Sequence, residues 1–386
     1  MKFELTNYAK LWDSMEGRAI MHEILNNPEL IKPNFTFWKE DFKVDPEITP
    51  SNAKGVANFI SYMREPDNGF MMDMRAPLGD TLPAESRGGK FYTGSIPDYS
   101  ARGYVETAPE RMQREDLFAQ YGDQDTRWLM EFATQNMQRM LNQANQTLSY
   151  QSAMLLSTGK ITYKMGDGIK TNVIKAEIPK ENFLHADTQA WTDPSAKILT
   201  QMIEMQDKIK DNLQLGISFQ WQITKDMWKN IFMKNQQVLE WANNCRTIET
   251  GGIPMPNTYA LPSDVVRSYL VKYEGLDPIV IVEEKQKDIN LGVVHGWKDN
   301  IAVYRPVGYA GYIRRSTILD RDVFERFGNK VNSYNFTEAM HGCGLFMNSV
   351  IVNGNFKEWH SDFFLKAVPT LDEFLYHYIV DVSRTE

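Results

Sequence analysis

Between Asp123 and Ser157 the chain carries one unbroken helical pattern, and few compact folds can house a helix of that length. Leu129, Phe132, Met140, Ala144, Leu148 and Leu155 recur at helical spacings, with Gln135, Gln138, Arg139, Asn142, Asn145 and Gln146 on other faces. Asp123 or Asp125 suits the N-terminus, where an acidic side chain caps exposed N–H groups and meets the positive end of the helix dipole. At 1.5 Å per residue the helix spans roughly 50 Å, well beyond the average globular helix. One stripe is apolar enough to pack and the rest is polar. Gly159 closes the helix, and Lys160 to Ile178 reads as two strands joined at Gly166-Asp167-Gly168, a hairpin turn signal.

The segments before this helix are rich in breakers. From Gly69 to Val105, Pro77, Gly79, Pro83, Gly88, Gly89, Gly94, Pro97 and Gly103 alternate with short apolar pairs, which predicts a long two-stranded excursion. A two-stranded ribbon alone is marginal in water, so it has to lean on another surface. Residues 1–68 hold a short helical pattern near Leu11 to Leu25 and then Pro28, Pro33, Pro46 and Pro50, which favours an extended arm over a domain.

A second region starts after Trp191-Thr192-Asp193-Pro194. Asp193 or Ser195 is placed to cap a helix carrying Ile198, Met202, Met205 and Ile209, with Pro194 in its first turn. The strand-like LGISFQWQIT precedes a helix from Lys225 to Ala242, with Met227, Ile231, Val238 and Trp241 on its apolar face. Strand candidates at Ile279–Val282, Ile301–Tyr304 and Tyr312–Ser316 predict a mixed sheet flanked by helices. Trp359–Leu365 and Phe374–Val382 read as further strands.

Composition narrows what such a chain does. With 386 residues, 42% of them hydrophobic, it has material for two sizeable cores. A formal charge of -8 opposes tight docking on phosphate backbones. Cys245 and Cys343 are too few for a disulfide framework and have no metal-ligand spacing, so a reducing compartment is expected. No apolar run approaches the roughly 20 residues needed to cross a bilayer, and the N-terminus lacks a secretory core, so a soluble chain made in the cytoplasm is expected.

Catalytic patterns fail one by one. His22-Glu23 opens like a zincin helix, but Asn26 stands where the second histidine belongs. Gly89-Lys90 and Gly159-Lys160 lack the first glycine and the hydroxyl of a phosphate loop. His341-Gly342-Cys343-Gly344 could hold an activated thiol, yet no third group is specified to orient it, and a packed cysteine is the simpler reading. Asp372-Glu373 after Pro369 reads as a solvated turn. No dinucleotide fingerprint follows a strand. No cofactor, no metal and no enzymatic activity are expected.

Arg87, Arg102, Arg111 and Arg114 lie among Glu106, Glu110, Glu115 and Asp116, so the local charge is nearly balanced. Guanidinium groups pair bidentately with carboxylates and are favoured at interfaces over lysine, which suits contacts between proteins better than a nucleic-acid patch. With Lys90 and Glu106 they form the candidate interface set.

Four segments together resemble the major capsid protein of tailed bacteriophages, lambda type (the major capsid protein E family), whose fold is Hong Kong 97-like and shared with herpesvirus capsid floors and encapsulin shells. They are SRGGKFYTGSIPDYSARGYVETAPERM, the helix end MLLSTGKITYKMGDG, DNIAVYRPVGYAGYIRRSTILDRD, and EWHSDFFLKAVPTLDEFLYHYIVDV, spread over about residues 65–386. The resemblance implies an α+β chain with an N-terminal arm (1–68), an extended loop (69–107) and a peripheral domain with spine helix and hairpin (108–194). An axial domain (195–355) and C-terminal strands returning to the peripheral domain (356–386) would complete it.

It further implies self-assembly into hexamers and pentamers of an icosahedral head around double-stranded DNA that is not specifically bound. The loop would lie across a neighbouring subunit, and the loop and helix would shift when the shell expands. A portal, a separate scaffolding protein and a decoration protein are the implied partners, with no membrane and with assembly in the host cytoplasm. The leader is too short and proline-rich for the helical scaffolding segment of some relatives. Some relatives crosslink a loop lysine; Lys90 sits in the loop, but nothing marks a partner, so no crosslink is expected. An encapsulin-like compartment, or a two-domain cytoplasmic thiol hydrolase using Cys343, is the competing reading.

Overall fold

The computed structural model describes residues 19, 23, 34–52, 56–64, 89–106, 125–164, 171–213, 217–249, 251, 261–273, 275–284, 286–288, 292–316, 332–335, 344–353 and 356–385. Backbone alone is described for 64, 89, 100–106, 125–133, 163, 164, 171, 172, 212, 213, 286–288, 292, 293, 332–335, 344–353 and 356–362.

The leader is more than an arm. A helical turn α1 (Trp38–Asp41) runs into strand β1 (Phe42–Thr49), and β2 (Ala57–Arg64) follows; Trp38, Phe42, Ala57 and Phe59 are all buried. Pro46 does not prevent this, because it lies in an edge strand where the register skips between Val44 and Ile48 and no ladder N–H is required of it. Its carbonyl accepts from the Arg315 guanidinium at 2.9 Å.

The predicted excursion is displaced. Its first strand is β2, inside the stretch read as arm, and it pairs antiparallel with β3 (Gly89–Ile96) from Ala57↔Ile96 to Arg64↔Gly89. Residues 65–88 lie outside the described residues. Pro97 then interrupts the ladder, and β4 (Asp98–Glu106) leaves the ribbon for a different partner.

The long helix α2 (Asp125–Thr158) is where the periodicity puts it. Met137, Met140, Leu141, Ala144, Leu148, Leu155 and Leu156 bury one face. Gly159 ends it in the left-handed region at φ +67, with its N–H bonded to the Leu155 carbonyl at 2.8 Å. The hairpin β5 (Lys160–Lys164) and β6 (Thr171–Lys175) follows, its Ile161–Ile174 pair buried.

Beyond β7 (Phe183–Ala186), helix α3 (Ile198–Leu213) starts later than its expected cap. Asp193 instead folds a turn on itself, its carboxylate accepting from the Ser195 N–H at 2.9 Å and from the Ser195 hydroxyl. The Leu199 N–H at the true helix start is capped by Gln237 at 2.9 Å. After β8 (Phe219–Thr224), the single helix expected from Lys225 to Ala242 is two, α4 (Lys225–Asn230) and α5 (Gln236–Glu249). Asn235 is the cause. Its Oδ1 accepts from the Val238 N–H as an N-cap, while its Nδ2 donates to the Pro194 and Ala196 carbonyls at 3.1 and 2.8 Å.

Helix α6 (Ser263–Tyr273), β9 (Ile279–Val282), the small ribbon β10 (Gln286–Asp288) and β11 (Gly292–Val294), and β12 (Ile301–Pro306) complete this region. The last strands are β13 (Gly311–Ser316), β14 (Asn332–Asn335), β15 (Gly344–Asn353), β16 (Phe356–Leu371) and β17 (Tyr378–Thr385).

Two main sheets organise them. One is a mixed five-stranded sheet in the order β7-β17-β12-β8-β9; the other is six-stranded, β1-β13-β16-β15-β14 with β4 also on β16. Tyr312–Ser316 therefore does not join the sheet of Ile279 and Ile301, as its place in the chain suggests. The C-terminal strands part company as well, β16 in one sheet and β17 in the other. The five-stranded sheet divides the core: Ile301, Val303 and Ile379 face the cluster built on α2, whereas Ala302, Tyr304 and Val380 face the cluster of α3 to α6.

Candidate functional site

The β2–β3 ribbon is apolar on both faces. Alternation sends Ala57, Phe59, Tyr92 and Ile96 inward, where each is at most 4% exposed. On the other face Ile60, Tyr62 and Phe91 stand 63%, 57% and 63% exposed, and Tyr62 and Phe91 are directly opposed across the strands. Large apolar side chains gathered on one open face are a feature of surfaces at which proteins meet other molecules.

The ribbon is held rigidly from below. The Tyr92 hydroxyl accepts from the Leu371 N–H at 2.6 Å, and its ring meets Phe59 and Phe374 edge-on at 5.9 and 5.5 Å. Burial, with the Asp372 carboxylate adding to it, pushes the Tyr92 phenol far above its ordinary value, so it stays neutral. A Cβ on Gly94 would come within 2.8 Å of the Phe59 ring, so glycine lets the strands close over that ring.

Charge fixes the ribbon's base. Ser61 donates to Asp372 at 2.5 Å, Asp372 accepts from Arg314 at 3.0 Å, and Arg314 reaches on to Asp45 of β1. Desolvation raises Asp372 above the usual carboxylate range despite these partners. Asp372 is thus half-buried and engaged, where the sequence suggested a solvated turn; the separation of 311 positions from Ser61 gave no hint of it.

Of the candidate interface residues, Lys90 lies exposed on β3 opposite Met63. Arg102 and Glu106 occupy β4, paired in register with Asp362 and Trp359 of β16, so this part of the expected loop is a strand of the chain's own sheet. Arg87, Arg111 and Arg114 lie outside the described residues, as do Cys343 and His341. Sequence reasoning missed Ile60, Tyr62 and Phe91. The signal was Ala57-Asn58-Phe59-Ile60-Ser61-Tyr62-Met63, which puts apolar side chains on both faces of one strand next to a stretch already judged in need of a second surface.

Little points to chemistry. Cys245 is buried on α5, and His377 is fully buried with its Nε2–H donating to the Leu156 carbonyl at 2.7 Å. Burial pushes His377 down to about 4, which makes it a neutral structural group. Among the described residues no group of three or more His, Cys, Asp or Glu could hold a metal ion, and no helix is long and apolar enough to cross a membrane.

A 34-residue helix, an open two-stranded ribbon and a helix-flanked mixed sheet are the main parts of the described fold. The same architecture occurs in a protein of an Escherichia coli CFT073 prophage assigned as a capsid protein, at a TM-score of 0.54 and 14% identity over 94% of this chain and 97% of that one. Weaker likenesses, which add no weight, are to the capsid of cyanophage A-1(L), TM-score 0.46 and 7% identity over 91% and 93% of the two chains, and to that of Myoviridae phage XM1, TM-score 0.39 and 11% identity over 90% and 91%. No curated protein matches the sequence. The model of the phage major capsid protein E family matches residues 77–322, and the chain belongs to that family. It is a structural protein of the phage capsid shell.

Proposed function

We propose that the chain builds an icosahedral head of hexamers and pentamers around double-stranded DNA, and that the open face of the β2–β3 ribbon rests on a neighbouring copy. The observation that carries this reading is the trio Ile60, Tyr62 and Phe91, exposed on a ribbon whose other face is locked into the core. Burying each such side chain is worth about 1.5–3 kcal/mol, too little alone to fix a subunit in place. Contacts repeated around closed rings become effectively intramolecular once one has formed, and avidity exceeds a single affinity by about 10² to 10⁴.

The six-stranded sheet with α2 corresponds to a peripheral domain and the five-stranded sheet with α3 to α6 to an axial one. The acidic net charge suits a wall that holds packed DNA without adhering to it. A portal, a separate scaffolding protein and a decoration protein complete the set of partners, and assembly takes place in the host cytoplasm. No observation favours a cargo compartment, and none favours a thiol hydrolase. The test is electron microscopy of the expressed chain: closed shells with pentameric vertices are expected, whereas a population of monomers under all conditions would contradict the reading.

A further inference from the structure

The two main sheets are joined by two crossovers that lie against each other. Residues 307–310 lead from β12 to β13, and residues 372–377 lead from β16 to β17. The Ala310 carbonyl accepts from both Asp372 N–H and Glu373 N–H, at 3.0 and 3.2 Å, while the Ala310 N–H donates to the Asp41 carbonyl at 2.7 Å. The approach is so close that a Cβ on Gly311 would collide with the Thr370 carbonyl oxygen. These bonds add one rung to the β1-β13-β16 ladders, and at this rung both crossovers turn off towards the other sheet.

The charges at this crossing do not balance. Arg305, on β12 and 1% exposed, is paired with Asp41. Three more of its five N–H groups go to Gln222 at 3.2 Å and to the Pro306 and Gly308 carbonyls at 2.8 and 2.9 Å. Arg314, on β13, serves Asp45 and Asp372. Glu373 is the carboxyl left over. Its Oε2 is buried without a hydrogen-bond partner, with Asp372 beside it, the occupied Arg305 as the cation facing it, and the neutral His377 further along the same crossover. An ionised carboxylate in this position keeps one oxygen desolvated and without a hydrogen-bond partner.

We propose that the paired crossovers are a hinge between the two sheets, latched while the Glu373 carboxyl is protonated and loosened when it ionises. The crossing, an arginine committed to other acceptors and the orphaned oxygen carry this inference. Burial also pushes Glu373 up to about 7, which places the change within the physiological range. Ionisation sets a third carboxylate beside Asp41 and Asp372, near a guanidinium already committed to four other acceptors, and parting the crossovers lets water reach it. The inference does not depend on what covers the β2–β3 ribbon.

Hydrogen–deuterium exchange on the purified full chain, corrected for the intrinsic pH dependence of exchange, tests it. Between pH 4.5 and 7 the amides of Asp372 and Glu373 are expected to lose up to roughly tenfold protection for each pH unit and to level off above about pH 7, while amides in the middle of α2 keep theirs. Glu373→Gln, and Glu373→Met as a second neutral variant, are expected to stay protected across the range. Constant protection in the wild-type protein would overturn the proposal, and so would the same loss in both neutral variants. The wild-type measurement decides by itself should the variants fold poorly.

Discussion

The Tyr92 hydroxyl and the Leu371 backbone N–H, 279 positions apart, meet in a hydrogen bond of 2.6 Å that ties the β2–β3 ribbon to the end of β16. Tyr92→Phe keeps the ring contacts and strands a buried donor. The loss expected is about 1–3 kcal/mol in the denaturant stability of the unassembled subunit. Tyr92→Ala also empties the space between Phe59 and Phe374 and is expected to cost about 3–5 kcal/mol. Equal stability of the Phe variant and the wild type would mean that this bond does not hold the ribbon.

Asn235 satisfies one helix N-terminus and two loop carbonyls at once. Asn235→Ala is expected to destabilise by about 2–3 kcal/mol, more than the typical loss of a cap alone, because the Pro194 and Ala196 carbonyls lose their donor together. Asn235→Asp restores the cap but not the donors, so it should recover only part of the loss. Thermal unfolding of the three proteins side by side measures the difference.

Gly94 faces the Phe59 ring too closely for a side chain. Gly94→Ala is expected to cost about 1–3 kcal/mol as the ring is forced aside. Tyrosine fluorescence or exchange in β2 and β3 should report the loosening, with α2 undisturbed.

Two buried groups set opposite slopes of stability against pH. His377 falls from an ordinary value of 6.5 to about 4, so the unfolded chain takes up its proton first, and the stability it supplies is lost as pH drops from about 6.5 towards 4. Glu373 rises from 4.5 to about 7, so the folded chain holds its proton longer, and stability declines as pH climbs from about 4.5 to 7. His377→Gln, whose amide still donates towards Leu156, is expected to flatten the acid limb relative to wild type. Glu373→Gln is expected to be more stable than wild type at pH 8 and equal to it at pH 4. Urea midpoints across pH 4 to 8 check both signs.

How far the sequence could be read follows from the range of each interaction. Helix α2 and its Gly159 terminus were legible because a 3.6-residue period and a left-handed glycine are local. The β5–β6 hairpin was legible for the same reason. The split at Asn235 was not, since an asparagine in a helical pattern becomes a cap only when Pro194 and Ala196 stand ready to accept from it. The sheets were harder still. Nothing local says that Tyr312 pairs with Lys43 and Thr370 while Tyr304, only a few positions earlier, pairs with Trp221 and Tyr378.

The ribbon was recognised as needing a second surface, yet Pro46 and Pro50 led the reading to place its first strand in an arm. An edge strand with a register skip tolerates such a proline, and only the sheet shows which strand is the edge. Arginine and glutamate spacing points to Arg102 and Glu106 on β4, whereas the exposed apolar trio follows from the β2–β3 register, which no local pattern gives.

The central claim is that shell closure depends on the open face of the ribbon while folding depends on the other. Replacing Ile60, Tyr62 and Phe91 together with serine, and imaging the particles beside those of the wild-type chain, tests it most directly. The triple variant is expected to keep its circular dichroism and unfolding midpoint and to yield no closed shells. Shells of normal number and size from that variant would contradict it.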